Sequence, residues 1–365
     1  MEGRVAKAKK AVIVGVTGIQ GGALASHLGE RGWNVFGVAR QPPSNAPGIT
    51  PIAADLTDPS AIRDALAGID PTHVFFTAWS RQATEAENCL VNGAMLRNLL
   101  AAVADAPSLQ HVALTTGLKH YLGPFEAYAL SKPDTPFRED QERLPYQNFY
   151  YDQEDILWEF AADAGFTWSV HRPHTVIGWA IGNAMNMGVT LAVYAAICRE
   201  TGRPFVFPGS PEQYNAVTDV TDARILARQL EWASVTPEAA NEAFNIVNGD
   251  QFRWRRMWRI IAEGLGVEAA EYPGHPTPLV EQMAEASPVW DRIVEKHSLA
   301  PHPIEELASW WHSDADLGRT IETFTDMTKS RLLGFTNYQP TDRSFLDLFD
   351  RLRRERIIPP LELKT

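Results

Sequence analysis

Only two cysteines, Cys89 and Cys198, occur in 365 residues. Two thiols do not make the disulfide framework of a small secreted domain, so a reducing, cytoplasmic setting is expected. The chain also lacks any run of roughly eighteen apolar residues, which speaks against a helical membrane span. Lys7 to Lys10 followed by Ala11-Val12-Ile13-Val14 superficially mimics a secretion signal. Glycines, Thr17 and Gln20 interrupt that run at once, so it reads as the first core strand. Basic residues are in deficit: 33 Lys and Arg stand against 45 Asp and Glu, a net charge of −12. Such a surface repels nucleic acid and anionic membranes, although a local basic pocket for a dinucleotide is compatible with it. Cys and His cluster nowhere at ligand spacing, and His275 stands isolated among prolines, so no metal site is expected. No repeat or low-complexity segment is present.

What the chain does have is a glycine-rich turn in a telling place. Val14-Gly15-Val16-Thr17-Gly18-Ile19-Gln20-Gly21 follows the apolar strand and runs into a helix-like segment from Ala23. A strand turning sharply into a helix aims backbone N–H groups and the positive end of the helix dipole at one spot, where a pyrophosphate fits. Trp33 to Ala39 supplies a second strand, completing a βαβ unit in about thirty residues. Gly15, Thr17, Gly18, Ile19 and Gly21 are therefore candidate nucleotide contacts. Arg40 ends the second strand, where an acidic residue would bind the 2′-hydroxyl of NAD or an arginine the 2′-phosphate of NADP. No Asp or Glu lies between Trp33 and Pro51. NADPH is the expected cofactor, a solvated strand-end charge being the plain alternative for Arg40.

Strand and helix signals alternate through the first half. Strands are expected at 51–54, 73–77, 111–114 and 167–171, and helices at 60–66, 85–103 and 151–164. This is the pattern of an α/β fold, a doubly wound parallel sheet with helices on both faces. Beyond residue 180 the regularity gives way to helices near 191–199, 223–233 and 254–264. The expected organisation is a nucleotide-binding domain over 1–180 and a smaller, mostly helical substrate lobe over 181–365, interleaved with late strands. Ligands of doubly wound sheets lie at the carboxyl ends of the strands. That rule adds Asp55, Leu56, Thr77, Ala78, Thr116 and Val176 to the cofactor candidates. Asp55 would accept from the adenine amino group or cap the helix starting near Pro59.

The catalytic residues are harder to place. Short-chain dehydrogenases use a Tyr with a Lys four residues on, and Tyr128 to Lys132 matches. Pro133 and Pro136 disfavour the helix that such a pair needs, so this match reads as a loop. The helix in the right place, opening Asn148-Phe149-Tyr150-Tyr151, carries acids where the lysine should stand. A lysine occurs instead in Thr116-Gly117-Leu118-Lys119-His120-Tyr121-Leu122-Gly123-Pro124. These two motifs resemble the progesterone 5β-reductase/iridoid synthase-like reductases, an atypical branch of the short-chain dehydrogenase/reductase superfamily. The resemblance runs over roughly residues 10–265 and returns at Gly334-Phe335.

The resemblance implies NADPH-dependent 1,4-reduction of the activated C=C of an enone or enal. Tyr150 would be the catalytic donor and Lys119 its partner, with Tyr151 as the alternative donor. Trp79, Phe125, Met185, Asn186, Met187 and Phe335 would form the pocket wall by position in matching motifs. Two departures stand out. Gln41 replaces a usual second basic residue, and His174 replaces a usual glycine after Arg172-Pro173. That histidine either donates to substrate or packs as a satisfied core residue. The implied partner is a small hydrophobic enone or enal, with no nucleic acid and no membrane, and a homodimer is left open. A carbonyl reductase, a sugar-nucleotide epimerase and a non-catalytic NADP-sensing regulator are the competing readings.

Overall fold

A computed structural model describes residues 8–361 except 45, 125, 126 and 128–132. Strands β1 (Lys10–Val14), β2 (Asn34–Ala39), β3 (Ile49–Ala53), β4 (His73–Phe76), β5 (His111–Thr115) and β6 (Thr167–Pro173) alternate with helices α1 (Ile19–Glu30), α2 (Pro59–Leu66), α3 (Glu85–Val103), α4 (Lys119–Leu122) and α5 (Phe149–Ala164). A short strand β7 (Val176–Ile177) precedes α6 (Met187–Thr201) and α7 (Pro211–Asn215). Then come β8 (Thr221–Asp222), α8 (Ala223–Val235), β9 (Glu242–Ile246) and α9 (Trp254–Leu265). Six helices follow: α10 (Leu279–Gln282), α11 (Ser287–His297), α12 (Ile304–Leu307), α13 (Trp310–Leu317), α14 (Thr328–Leu332) and α15 (Thr341–Arg354).

The main sheet has seven strands in the order β3-β2-β1-β4-β5-β6-β9, all parallel. Parallel strands are covered on both faces, which is why β4 and β5 are buried at every residue. Side chains alternate between two cores, as a period of two requires. Val12, Val14, Val74 and Phe76 meet Leu96, Leu99 and Leu157 on one side. Ala11, Ile13 and Phe75 meet Leu24, Leu28, Ile225 and Leu230 on the other. The chain order reverses at β1/β4, opening a crevice above their carboxyl ends.

The expected strands and helices of the first half are present, shifted by one or two residues at their ends. α5 starts at Phe149 rather than 151, because Asn148 caps it. The edge strand β9 comes from the second half, and α8 packs beside α1 on the sheet. A separate core forms around α6, whose residues from Met187 to Cys198 are all buried, together with Trp258, Trp290 and Phe345. The Tyr128–Lys132 match read as a loop lies outside the described residues, and residues 133–145 that follow it hold no helix or named strand. No described helix is long and apolar enough to cross a membrane.

Candidate active site

The glycine turn forms a cradle. Gly15 has φ +86° and donates to the Val38 carbonyl at 3.0 Å, and the Gly18 N–H folds back to the Gly15 carbonyl at 2.9 Å. A Cβ on Gly21 would lie 2.3 Å from that same carbonyl oxygen and 2.8 Å from Thr77 Oγ1, so only glycine fits. Thr77 Oγ1 donates to the Val14 carbonyl at 2.7 Å and pins the end of β4 against the turn, with Ala78 beside Gly15. α1 starts with no side-chain cap and no acidic residue in its first turn. Its first N–H groups and positive dipole end thus face no protein anion of that turn, and the cradle fits a pyrophosphate.

Arg40 is exposed just beyond β2, and its charge reaches Asp55. The Asp55 carboxyl sits below its ordinary pKa, first because the Thr57 N–H and hydroxyl donate to it and then because Arg40 is near. The capping alternative for Asp55 is corrected: Asp58 caps α2, accepting from the Ser60 and Ala61 N–H groups. Thr17 is exposed at the turn, while Leu56 is buried beneath the crevice.

The floor of the adjoining cavity comes from two separate segments. Gly117, Leu118 and Lys119 follow β5, and Phe149 and Tyr150 open α5. A Cβ on Gly117 would lie 3.3 Å from the Tyr150 hydroxyl, so the phenol rests against bare backbone. Lys119 is 6% exposed and its Nζ lies 3.3 Å from Glu85 Oε2 and 4.9 Å from the centre of the Phe149 ring. Phe149 is flanked by the Tyr150 ring at 4.4 Å and stacked on Trp79 at 5.8 Å. Asn148 ties the two segments together: its Oδ1 accepts from the Tyr150 N–H at 3.1 Å and its Nδ2 donates to the Lys119 carbonyl at 2.7 Å. Glu85 does the same from α3, since its second oxygen accepts the Phe149 N–H at 2.9 Å.

Tyr151 points elsewhere. Its hydroxyl donates to the His120 carbonyl at 2.6 Å and accepts from the Leu144 N–H at 3.0 Å, and the residue is 7% exposed. Four residues beyond Tyr150 stands Glu154, buried between Arg172, Arg143 and His120. Burial alone would raise its pKa; the His120 ring 3.7 Å away and the Arg172 and Arg143 guanidinium groups outweigh that and hold it at about 2. A lysine has no place there.

The opposite wall is ionic. His174 Nδ1 lies 2.6 Å from Asp219 Oδ1 and its Nε2 lies 3.1 Å from Arg319. Arginine only donates, so Nε2 accepts and the proton is on Nδ1, donated to Asp219. The other Asp219 oxygen accepts the Thr325 N–H at 2.7 Å. Arg319 also pairs with Asp316, which takes the Thr175 hydroxyl at 2.8 Å. Burial would raise the Asp316 pKa, but Arg319 and His312 lower it below the usual range. His312, 3.8 Å from Asp316, is pushed down by burial and is neutral near pH 7.

Of the expected wall residues, Trp79 and Met185 line this cavity, as do Val176 and Thr116 beside the crevice. Phe335 does not: it is 1% exposed in the core behind the sheet, its ring 5.3 Å from Trp232. Asn186 is corrected too, because its side chain is spent capping α6 and donating to the Gly178 and Ala180 carbonyls. Met187 is buried in the second-half core. Phe125 lies outside the described residues.

Residues 54–359 match the family described as the PRISE-like Rossmann-fold domain. The (S)-8-oxocitronellyl enol synthase ISY1 of Nepeta racemosa is 42% identical over 362 residues, covering 96% of this chain and 93% of that protein. The 3-oxo-Delta(4,5)-steroid 5-beta-reductase of Arabidopsis thaliana is 41% identical over 362 residues, with the same coverage of each chain. This chain belongs to the PRISE-like Rossmann-fold family. Solved structures share the fold at low identity. WbmH of Bordetella bronchiseptica, in complex with NAD+, aligns with TM-score 0.65 and 16% identity over 94% of this chain and 98% of its own. The UDP-glucose 4-epimerase of Thermotoga maritima aligns with TM-score 0.64 and 16% identity over 94% and 99%.

Within this PRISE-like chain, sequence reasoning overlooked Glu85 and the group His312, Asp316 and Arg319. Glu85 reads as an ordinary first-turn acid of α3, and nothing local shows that its carboxylate reaches two other segments. The other three stand at spacings of four and three along and just past α13, so they share one face. That spacing was a readable signal, masked by the tryptophans and acids around it.

Proposed function

We propose that this PRISE-like chain reduces the activated C=C of an enone or enal with NADPH, Tyr150 serving as the donor to the carbonyl oxygen. The chain is an NADPH-dependent oxidoreductase of the short-chain dehydrogenase/reductase superfamily. Its relatives' names, an 8-oxocitronellyl enol synthase and a Delta(4,5)-steroid 5-beta-reductase, support this reaction class. The observation that carries the reading is the floor of the cavity: Lys119 and Tyr150 come from different segments yet line one cavity, each packed against the Phe149 ring.

Gly15, Thr17, Gly18, Ile19, Gly21, Thr77 and Ala78 would hold the pyrophosphate end, Arg40 the 2′-phosphate, Asp55 and Leu56 the adenine, and Thr116 and Val176 the nicotinamide end. When bound, the cofactor supplies hydride to the β-carbon, becoming NADP+, while a proton completes the α-carbon. As the hydride arrives, and before a solvent proton adds at the α-carbon, negative charge builds on the carbonyl oxygen, and the fixed Tyr150 phenol stabilises it by hydrogen bonding. A phenol does this by donating its O–H, without full transfer of the proton. Lys119 biases the phenol electrostatically or holds a ribose hydroxyl. Trp79 and Met185 give the substrate apolar walls. Residues 1–180 bind the nucleotide and the lobe over 181–365 closes the substrate side.

The test is reaction type. With 2-cyclohexen-1-one the enzyme should saturate the C=C and leave the carbonyl, and it should barely touch cyclohexanone. Deuterium from labelled NADPH should appear at the β-carbon by NMR. Label at the carbonyl carbon, with an allylic alcohol as product, would refute conjugate reduction and restore a carbonyl reductase.

A further inference from the structure

The ionic wall is larger than packing requires. His174, Thr175, His312, Asp316 and Arg319 all face the cavity that holds Tyr150 and Lys119. Placing these groups in a water-poor interior costs free energy unless each is paired. Most are paired, and two atoms are not. Among the described residues Arg319 Nε and His312 Nδ1 have no hydrogen-bond partner, although the Arg319 side chain is only 7% exposed and that of His312 8%. Buried polar atoms left unpaired in this way mark a place where another molecule's polar atom belongs.

An arginine in a pocket suggests a carboxylate ligand, but charge counting opposes it. Arg319 is already compensated by Asp316, and Asp219 accepts at both oxygens from His174 and Thr325. Burial pushes the Asp219 carboxyl up, but with it ionised and both histidines neutral the buried cluster of Arg319, Asp219 and Asp316 carries one negative charge in excess, and Arg81, which also acts on His312, is exposed and outside the cavity lining. An anion here would face two carboxylates and gain one shared cation. A neutral group that accepts from Arg319 and donates to Asp316 or to the His312 Nδ1 satisfies these atoms, and a hydroxyl does that.

Building on the reductase reading, we propose that the ionic wall is a subsite for an alcohol hydroxyl borne by the enone or enal, remote from the reacting double bond. Arg319 donates to the oxygen, Asp316 or His312 Nδ1 takes its proton in a hydrogen bond, and the His174–Asp219 pair holds Arg319 in place. Thr175, at φ +25°, is kept in that conformation by its hydroxyl's bond to Asp316, so the subsite is built rigidly.

The experiment compares linear (E)-2-alkenals of about six to ten carbons that end in methyl, hydroxymethyl, aldehyde or carboxylate. At the fitting length, the hydroxymethyl member should exceed its methyl counterpart in kcat/KM by about 10-fold or more. Arg319→Lys keeps the charge opposite Asp316 but loses Nε–H, and His312→Phe loses the ring nitrogens. Each should cut that ratio to about 2-fold or less. Equal kcat/KM for hydroxymethyl and methyl members at every length overturns the proposal. So does a preference for carboxylate or aldehyde over hydroxymethyl, or a ratio untouched in both variants. Calorimetric affinity of the NADP-loaded protein for saturated diols against mono-alcohols gives a second readout without turnover. Preference for the diol with no enal reduced would sink the reductase reading and support the subsite. No preference in binding, with reduction intact, would sink the subsite alone.

Discussion

The two sides of the cavity are built by opposite means. On the floor, Tyr150 and Lys119 are placed by backbone: a bare glycine under the phenol, an asparagine cap, and N–H and carbonyl groups tied by Asn148 and Glu85. On the ionic wall, side chains hold side chains, and two buried polar nitrogens have no partner among the described residues. A side fixed by backbone contacts tolerates little change in geometry, which suits a donor that must meet a developing charge. A side made of paired charges can be retuned by one substitution, which suits recognition of a variable substrate. On the proposed reading, chemistry and specificity are separated in space.

The sharpest way to break this comparison is at the two adjacent tyrosines. Tyr150→Phe should lower kcat by ~10²–10³ and leave NADPH affinity nearly unchanged, because one donor to the substrate oxygen is lost. Tyr151→Phe should instead cost stability, ~1–3 kcal/mol, since two backbone groups lose their partner. Steady-state kinetics and urea unfolding on both variants check this. Loss of turnover in Tyr151→Phe alone would move the donor by one residue.

Beneath the floor, Glu154 offers a test by pH. Its pKa is held at about 2 in the fold against an ordinary value of 4.5. A depressed acid stabilises the fold above its unfolded pKa, and that contribution fades as pH falls from about 5 toward 2. The amount is about 3 kcal/mol by the usual conversion. Unfolding free energy measured between pH 7 and pH 3 should fall in the parent more than in Glu154→Gln, which starts lower. Parallel curves would mean that Glu154 does not support the floor as described.

The smallest effect belongs to the far end of the crevice. Arg40→Ala should shrink the preference for NADPH over NADH about tenfold, matching one charge-assisted contact of ~1.5–3 kcal/mol. Binding titrations with both cofactors decide it. Equal affinities in the parent would remove the role given to Arg40.

What could be read in the chain follows the same division. The glycine turn, Arg40 and the alternation up to β6 are local patterns, and local patterns survive in a one-dimensional record. Tyr150 and Lys119 were singled out through two long motifs, and the structure lines one cavity with both, although the phenol's neighbours were not legible. Phe335 and Asn186 were misplaced because an aromatic near a motif and an asparagine before a helix look alike whether they face a ligand or a core. Asn186 proved to be a cap and Phe335 a core ring. The ionic wall draws on residues near 174, 219 and 312–319, and only tertiary packing brings such distant positions together.

Glu85 carries a consequence for how the molecule comes into being. Where a tyrosine and lysine share a helix, their spacing is set by helical pitch as soon as that helix forms. Here the carboxylate that joins them reaches across 34 residues to Lys119 and across 64 to the Phe149 amide. Closing such long loops costs entropy that is recovered only when all three segments have docked. The nucleotide cradle, by contrast, is closed by Gly15 meeting Val38 within one βαβ unit. A half-formed chain therefore has the makings of a nucleotide site long before it has a reactive one, and chemistry is withheld until the last segments have come together.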